Sequence, residues 1–243
     1  MCKVLMSIGI KQKKKALTWK FFESSLPYMS ASDKDGLGYV AADGNKIFGE
    51  RWLVNKNAFK SRSSQNEYAK KIADLFGSGL MVNESEYNSF GSGKMLNATS
   101  VLLHTRKATC ARNITNTHPF VIEETALIHN GVIRNDDKIM SKVTPISTCD
   151  SESILQEYLY SGVNLDPANV KNIGEMLDGW YVCGVISKDK NNRQIVDVFK
   201  CNDSKLNIAW IKELDNFVLC TTMDIIEKTA RDAKMTIMSH NAL

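Results

Sequence analysis

His104-Thr105-Arg106-Lys107-Ala108-Thr109, then Asn116-Thr117-His118-Pro119-Phe120, then Ala126-Leu127-Ile128-His129-Asn130-Gly131-Val132-Ile133 form one short span in which polar groups interrupt apolar runs. The run Ala98–His104 reads as a strand leading into Arg106, and Thr125–His129 as a second short strand stopped by Asn130-Gly131. Upstream, Lys3–Ile8 is a strand candidate. Ala16–Met29 has helical apolar spacing, with Pro27 expected to end it early. Gly36–Ala42 and Lys46–Leu53 flank Asp43-Gly44-Asn45, a hairpin signal, and Asn66–Phe76 reads as a helix. Downstream, Ser151–Tyr160 reads as a helix capped by Asp150 or Ser151, and Asn169–Leu177 as another. Tyr181–Ser187, Ile195–Lys200, Leu206–Ile211 and Phe217–Thr221 follow as four strands, and Met223–Ala233 as a closing helix. Strands and helices come in blocks rather than in βαβ alternation, which predicts an α+β layered fold. No Pro/Gly/Ser-rich linker divides the chain, so residues 1–235 are read as one domain and 236–243 as a C-terminal tail.

With 43% hydrophobic and 24% charged residues in 243, the composition is that of a globular chain long enough to bury a sizeable core. The net charge of +4 is local, carried largely by Lys11, Lys13, Lys14 and Lys15. A nucleic-acid surface would be more basic and interleaved with aromatics, so no nucleic-acid partner is expected. No apolar run is long enough to span a bilayer, and lysines follow the first apolar stretch rather than precede it, so the expectation is a cytoplasmic protein without a membrane partner. The six cysteines include no Cys-x-x-Cys pair. No metal and no cofactor are expected, and several cysteines read as small buried apolar groups. Phe76–Asn83 and Phe90–Asn97 form a near-repeat too short for a solenoid. Gly93-Lys94 lacks the remainder of a phosphate loop.

Position 2 carries the first chemistry. Once Met1 is removed, Cys2 holds a thiol and a free α-amine on one carbon. The amine titrates near ~7.7–8.0 and the thiol near ~8.5, so the amine can take the thiol proton. Such a nucleophile needs no separate histidine base. The second cluster supplies what acyl chemistry on an amino-acid side-chain amide requires. Asn130 offers an amide N–H, and Gly131 a backbone N–H open to close approach, as an oxyanion hole. Arg106 can hold an α-carboxylate bidentately, and Asp150 can hold an α-ammonium. Each residue also has a plain structural use: Asn130-Gly131 as a turn, Arg106 as an ion pair, Asp150 as a helix cap.

Taken together, these residues resemble the glutaminase domain of the class II glutamine amidotransferases, the family typified by glucosamine-6-phosphate synthase and amidophosphoribosyltransferase. The shared pattern is Cys2, His104-Thr105-Arg106-x-x-Thr109, Asn116-x-His118-Pro119, His129-Asn130-Gly131-x-Ile133 and Asp150 before a helix, with Asp35-Gly36-Leu37-Gly38 at the start of a strand. The resemblance implies an N-terminal-nucleophile hydrolase of α+β class. Its fold would be a four-layer αββα sandwich, with two stacked, mostly antiparallel sheets between helix layers. It further implies Cys2, Asn130 and Gly131 as catalytic residues and Arg106, Thr109, His118 and Asp150 at the substrate, with His118 equally open to a structural part. Lys107 stands where the family commonly has an aromatic, and Asp33-Lys34 replaces its Arg-Gly pair. The resemblance implies a glutamine amidotransferase subunit that hydrolyses glutamine through a Cys2 thioester. Because the chain ends where such a domain ends, the ammonia is expected to pass to a separate synthase. The alternatives are a γ-glutamyl amide hydrolase acting on a modified small molecule and a non-catalytic interaction module.

Overall fold

The computed structural model describes residues 2–9, 15–29, 35–42, 46–53, 87–90, 99–161, 167–189 and 191–243. The lysine run before residue 15, Asp33-Lys34, the Asp43-Gly44-Asn45 turn, the expected helix Asn66–Phe76, Gly93-Lys94 and the near-repeat apart from Phe90 lie outside them.

Two antiparallel sheets face each other. The larger contains β1 (Lys3–Ile8), β2 (Gly36–Ala42), β3 (Ile47–Leu53), β4 (Tyr87–Phe90), β5 (Ser100–Arg106), β10 (Asn207–Ile211), β11 (Asn216–Cys220) and β12 (Ile237–Ala242), ordered β12-β10-β11-β1-β5-β2-β3-β4. The smaller is ordered β6-β7-β8-β9, from Phe120–Ile122, Thr125–Ile133, Gly179–Lys188 and Gln194–Lys200. Helices α1 (Lys15–Met29) and α5 (Met223–Ala233) cover the outer face of the large sheet. Helices α2 (Asp136–Met140), α3 (Asp150–Tyr160) and α4 (Pro167–Met176) are associated with the small one. The architecture is therefore the αββα sandwich that the resemblance implies.

Strand alternation explains the layering. In β1, Leu5 joins the core under α1 and α5, while Val4 and Met6 join the core between the sheets. In β5, Val101 and Leu103 face the helices and Leu102 faces the other sheet. Central strands buried on both faces therefore read as continuous apolar runs. In α5, Ile225, Ile226, Thr229, Ala230 and Ala233 make one buried stripe, and Lys234 closes the helix in the left-handed conformation at φ 57°.

Four local expectations differ from the structure. Pro27 lies inside α1, which continues to Met29. The last turn is held because Phe22, Leu26 and Met29 are buried and Thr105 Oγ1 donates to the Met29 carbonyl at 3.0 Å. Strand β7 runs through Asn130-Gly131, whose partners are Val182 and Tyr181 on β8. Neither Asp150 nor Ser151 caps α3: Cys149 holds the N-cap position without a side-chain cap bond, and Asp150 is the first helical residue. Ile237–Ala242, read as part of a tail, pairs with β10 as an edge strand, mostly exposed and held by its backbone. Among the described residues, no helix is long and apolar enough to cross a membrane.

Candidate active site

Register and pleat assign Cys2, Arg106 and Asn130 to the space between the sheets. Lys3 pairs with Thr105, which places Cys2 one step further along, beside Arg106. Cys2 and Arg106 share the alternation of Val4, Met6 and Leu102, the side chains that face the small sheet. Asn130 shares the alternation of Ala126 and Ile128, which face the large sheet from the opposite side. Cys2, Arg106 and Asn130 therefore belong to facing surfaces.

The Cys2 sulfur is seated on the backbone of Lys107. Lys107 N–H donates to Cys2 Sγ at 3.3 Å, and Sγ lies 3.4 Å from the Lys107 carbonyl. Asp35 fixes that turn: its Oδ2 accepts the Ala108 N–H at 2.7 Å, and its own N–H donates to the Arg106 carbonyl at 3.0 Å. The side chain of Lys107 is exposed, so its contribution at Cys2 comes from its backbone.

Arg106 is only 2% exposed. Its Nη2 donates to the carbonyl of Ala111 at 3.0 Å and approaches the Cys110 carbonyl and sulfur at 3.4 and 3.3 Å, while Nη1 is buried without a partner. A buried guanidinium nitrogen left unpaired is costly unless an anion meets it. Asp150 Oδ2 accepts the Ile133 N–H at 2.8 Å, tying the start of α3 to the end of β7. The loop before it is pinned by buried Glu152, whose oxygens accept the N–H groups of Ile146 and Ser147 at 2.9 and 2.7 Å. Asn116, fully buried, donates to the Ala111 carbonyl and to Thr148 Oγ1 and accepts the Thr148 N–H. Asn116 thus locks the segment after Arg106 to the segment before Asp150. Nothing in the local sequence around Asn116 marks it for this part.

Asn130 is buried and its Oδ1 has no hydrogen-bond partner. A Cβ at Gly131 would lie 2.0 Å from the Trp180 carbonyl and 2.6 Å from His129 Nε2. Glycine is needed here for close approach of two strands and a ring, not for a turn. Gly131→Ala is expected to destabilise the fold by about 3 kcal/mol, the upper range of overpacking, visible as a melting temperature lowered by several degrees. An unchanged melting temperature would contradict this packing.

Behind these groups lie three buried histidines. The His104 and His118 rings are 3.8 Å apart between centroids, and His118 and His129 are 6.3 Å apart. His129 Nδ1 lies 2.9 Å from Ser151 Oγ, whereas His118 has no partner at either ring nitrogen. Burial first, then neighbouring positive charge, lowers His104 to about 3 and holds His118 well below its usual value. Burial lowers His129 to about 4, with Asp150 acting in the opposite sense. All three are neutral near pH 7. Gly38 admits the His118 loop, since a Cβ there would lie 2.0 Å from the His118 carbonyl. Arg51 donates to the Thr117 and Pro119 carbonyls at 3.0 Å each, across the cis His118–Pro119 bond. His118 is thus packed among rings, and Thr109 lies exposed at the rim. Among the described residues, no three His, Cys, Asp or Glu side chains converge as metal ligands.

Residues 68–182, just under half of the chain, match the pattern of the family described as glutamine amidotransferases class-II. No curated protein matches by sequence. Among solved structures, the glutamine phosphoribosylpyrophosphate amidotransferase of B. subtilis, complexed with ADP and GMP, superposes with a TM-score of 0.62 at 17% identity. A structure described as the allosteric regulatory enzyme of purine biosynthesis gives 0.65 at 19%. Each alignment covers 98% of this chain and 45% of the other, so the chain spans less than half the length of these relatives. At these identities the likeness concerns the fold.

Proposed function

We propose that this class II glutamine amidotransferase domain releases ammonia from glutamine through a γ-glutamyl thioester on Cys2. The observation that carries the reading is the pairing of a sulfur seated on the Lys107 backbone with a buried, incompletely paired Arg106 at the adjacent strand position. The α-amine of a mature N-terminal Cys2 takes the thiol proton, and the thiolate attacks the side-chain carbonyl of glutamine. The Asn130 amide and the Gly131 N–H hold the oxyanion. The amine then passes the proton to departing ammonia, and water hydrolyses the thioester to glutamate. Arg106 holds the substrate α-carboxylate and Asp150 its α-ammonium. Thr109 at the rim and His118 behind the motifs support this pocket without entering the bond changes. Ammonia then passes to a synthase domain or subunit, here proposed to be a separate chain in the same compartment, the cytoplasm.

Ammonia release with free glutamine, compared with a panel of γ-glutamyl amides, tests the substrate. Preference for free glutamine is expected, and preference for a larger amide would replace the reading with a γ-glutamyl amide hydrolase. Arg106→Lys is expected to raise KM for glutamine by about 10- to 100-fold, because a point ammonium cannot reproduce the planar fork at a carboxylate. Steady-state kinetics check this, and an unchanged KM would remove Arg106 from the substrate.

A further inference from the structure

Two thiols sit on the charged clamp proposed for the substrate, one at each end. Cys110, half-buried, has its sulfur 3.3 Å from Arg106 Nη2. Cys149, buried, has its sulfur 3.4 Å from Asp150 Oδ1 and 3.6 Å from Ser151 Oγ. Their segments are held together by Asn116, which donates at 2.9 Å to the carbonyl of Ala111 and at 2.8 Å to Thr148 Oγ1, the residues next to the two cysteines. Both thiols are free, and each lies one residue from a group bonded to the same Asn116 amide nitrogen.

We propose that Cys110 and Cys149 form a reversible dithiol–disulfide switch that sets the affinity of the site for glutamine. The proposal rests on the clamp reading of Arg106 and Asp150 given above. The oxidant is a low-molecular-weight disulfide. Cys110 thiolate attacks one sulfur of the reagent, breaks its S–S bond and releases one small thiolate. Cys149 loses its proton to solvent and attacks Cys110 Sγ, forming the Cys110–Cys149 bond and expelling the second small thiolate. Two protein thiols are oxidised and one reagent disulfide is reduced to two thiols.

Cys110 is suited to the first step. The Cys149 thiol, and then the Arg106 charge, lower it against the opposing effect of burial, which favours the thiolate that makes the first attack. The Cys110 sulfur, burial and Asp150 hold Cys149 up, so it stays a thiol while Cys110 makes the first attack. Closing the disulfide removes a negative sulfur from Arg106 and a thiol donor from Asp150 in one event. Both ends of the clamp then change their partners together. Cys2 keeps its Lys107 seat, so the switch acts on binding rather than on the nucleophile.

The test uses the full chain carrying Cys2→Ala, which removes the competing reactive sulfur and stops turnover. The protein is treated with glutathione disulfide, its cysteines are mapped by mass spectrometry, and glutamine is titrated by calorimetry before and after. The expected result is a Cys110–Cys149 disulfide with glutamine affinity weakened about tenfold or more, the scale of one lost bond to a charged group. Dithiothreitol should reverse the change. Adding Cys110→Ser should make glutamine affinity insensitive to the oxidant, whereas adding Cys149→Ser should stop the reaction at a Cys110–glutathione mixed disulfide, so the failure of one variant to fold leaves the other to decide. Persistent free thiols, a mixed glutathione disulfide only, or a closed disulfide with unchanged affinity would each overturn the switch. If the reduced Cys2→Ala chain bound no glutamine, the clamp reading and the control of affinity would fall together, while the mapping would still decide whether the dithiol closes.

Discussion

Cys2→Ala is expected to lower glutamine-dependent ammonia release by about a thousand-fold or more, the scale seen when a nucleophile is removed from a group that acts as a unit. The fold should hardly notice. The Cys2 side chain is partly exposed, and its sulfur meets the Lys107 backbone at 3.3–3.4 Å. Losing those contacts should change stability by about 1 kcal/mol or less. The dissociation matters because most ways of losing activity also lose structure. A variant that melted with the parent but released no ammonia would place the loss in the chemistry. Retained release in the Cys2→Ala chain would mean that another group attacks the amide.

The second large effect is acid lability between pH 7 and 5. An unfolded histidine takes up its proton below about pH 6.5, while folded His104 and His129 do so only near 3 and 4, and His118 also well below its ordinary value. In that interval the unfolded chain binds more protons than the folded one, so stability is full above the unfolded value and falls as the pH falls. At pH 5 each such histidine removes about 2 kcal/mol relative to pH 7, so His104 and His129 alone remove about 4 kcal/mol from a typical total of about 5–15. Urea midpoints followed across this range should decline steeply. His104→Phe should shorten the decline by about one proton's worth, because phenylalanine fills the ring position without a titrating nitrogen. Midpoints that stay level from pH 7 to 5 would show that the cluster is not buried and neutral.

The parts of this molecule that were legible in the sequence are those written in local pattern. The stripe of Ile225, Ile226, Thr229, Ala230 and Ala233 marks its helix at the bounds observed, Met223–Ala233. The runs at Lys3–Ile8 and Gly36–Ala42 mark their strands. The candidate site motifs stood out for a different reason: Cys2, His104-Thr105-Arg106, Asn116-Thr117-His118-Pro119, His129-Asn130-Gly131 and Asp150 follow one another in the order and spacing of a family pattern.

What escaped was set by distant partners. Asn130-Gly131 carries a strong local turn preference, yet its fate is decided by pairing with Val182 and Tyr181 and by the Trp180 carbonyl that leaves no room for a side chain. Ile237–Ala242 has little strand character of its own and is held by β10. The contact of His118 with both His104 and His129 crosses from one sheet to the other, which no spacing along the chain encodes. Cys110 and Cys149 read as scattered because only the folded chain, through Asn116, ties the segment after Arg106 to the segment before Asp150.

The most direct measurement is the intact mass of the mature chain, before and after exposure to an electrophilic glutamine analogue, with peptide mapping of the adduct. The expected result is a chain that begins at Cys2 and gains a single adduct on that sulfur, with labelling slowed by added glutamine. A chain that retains Met1, or an adduct that maps elsewhere and ignores glutamine, would contradict it.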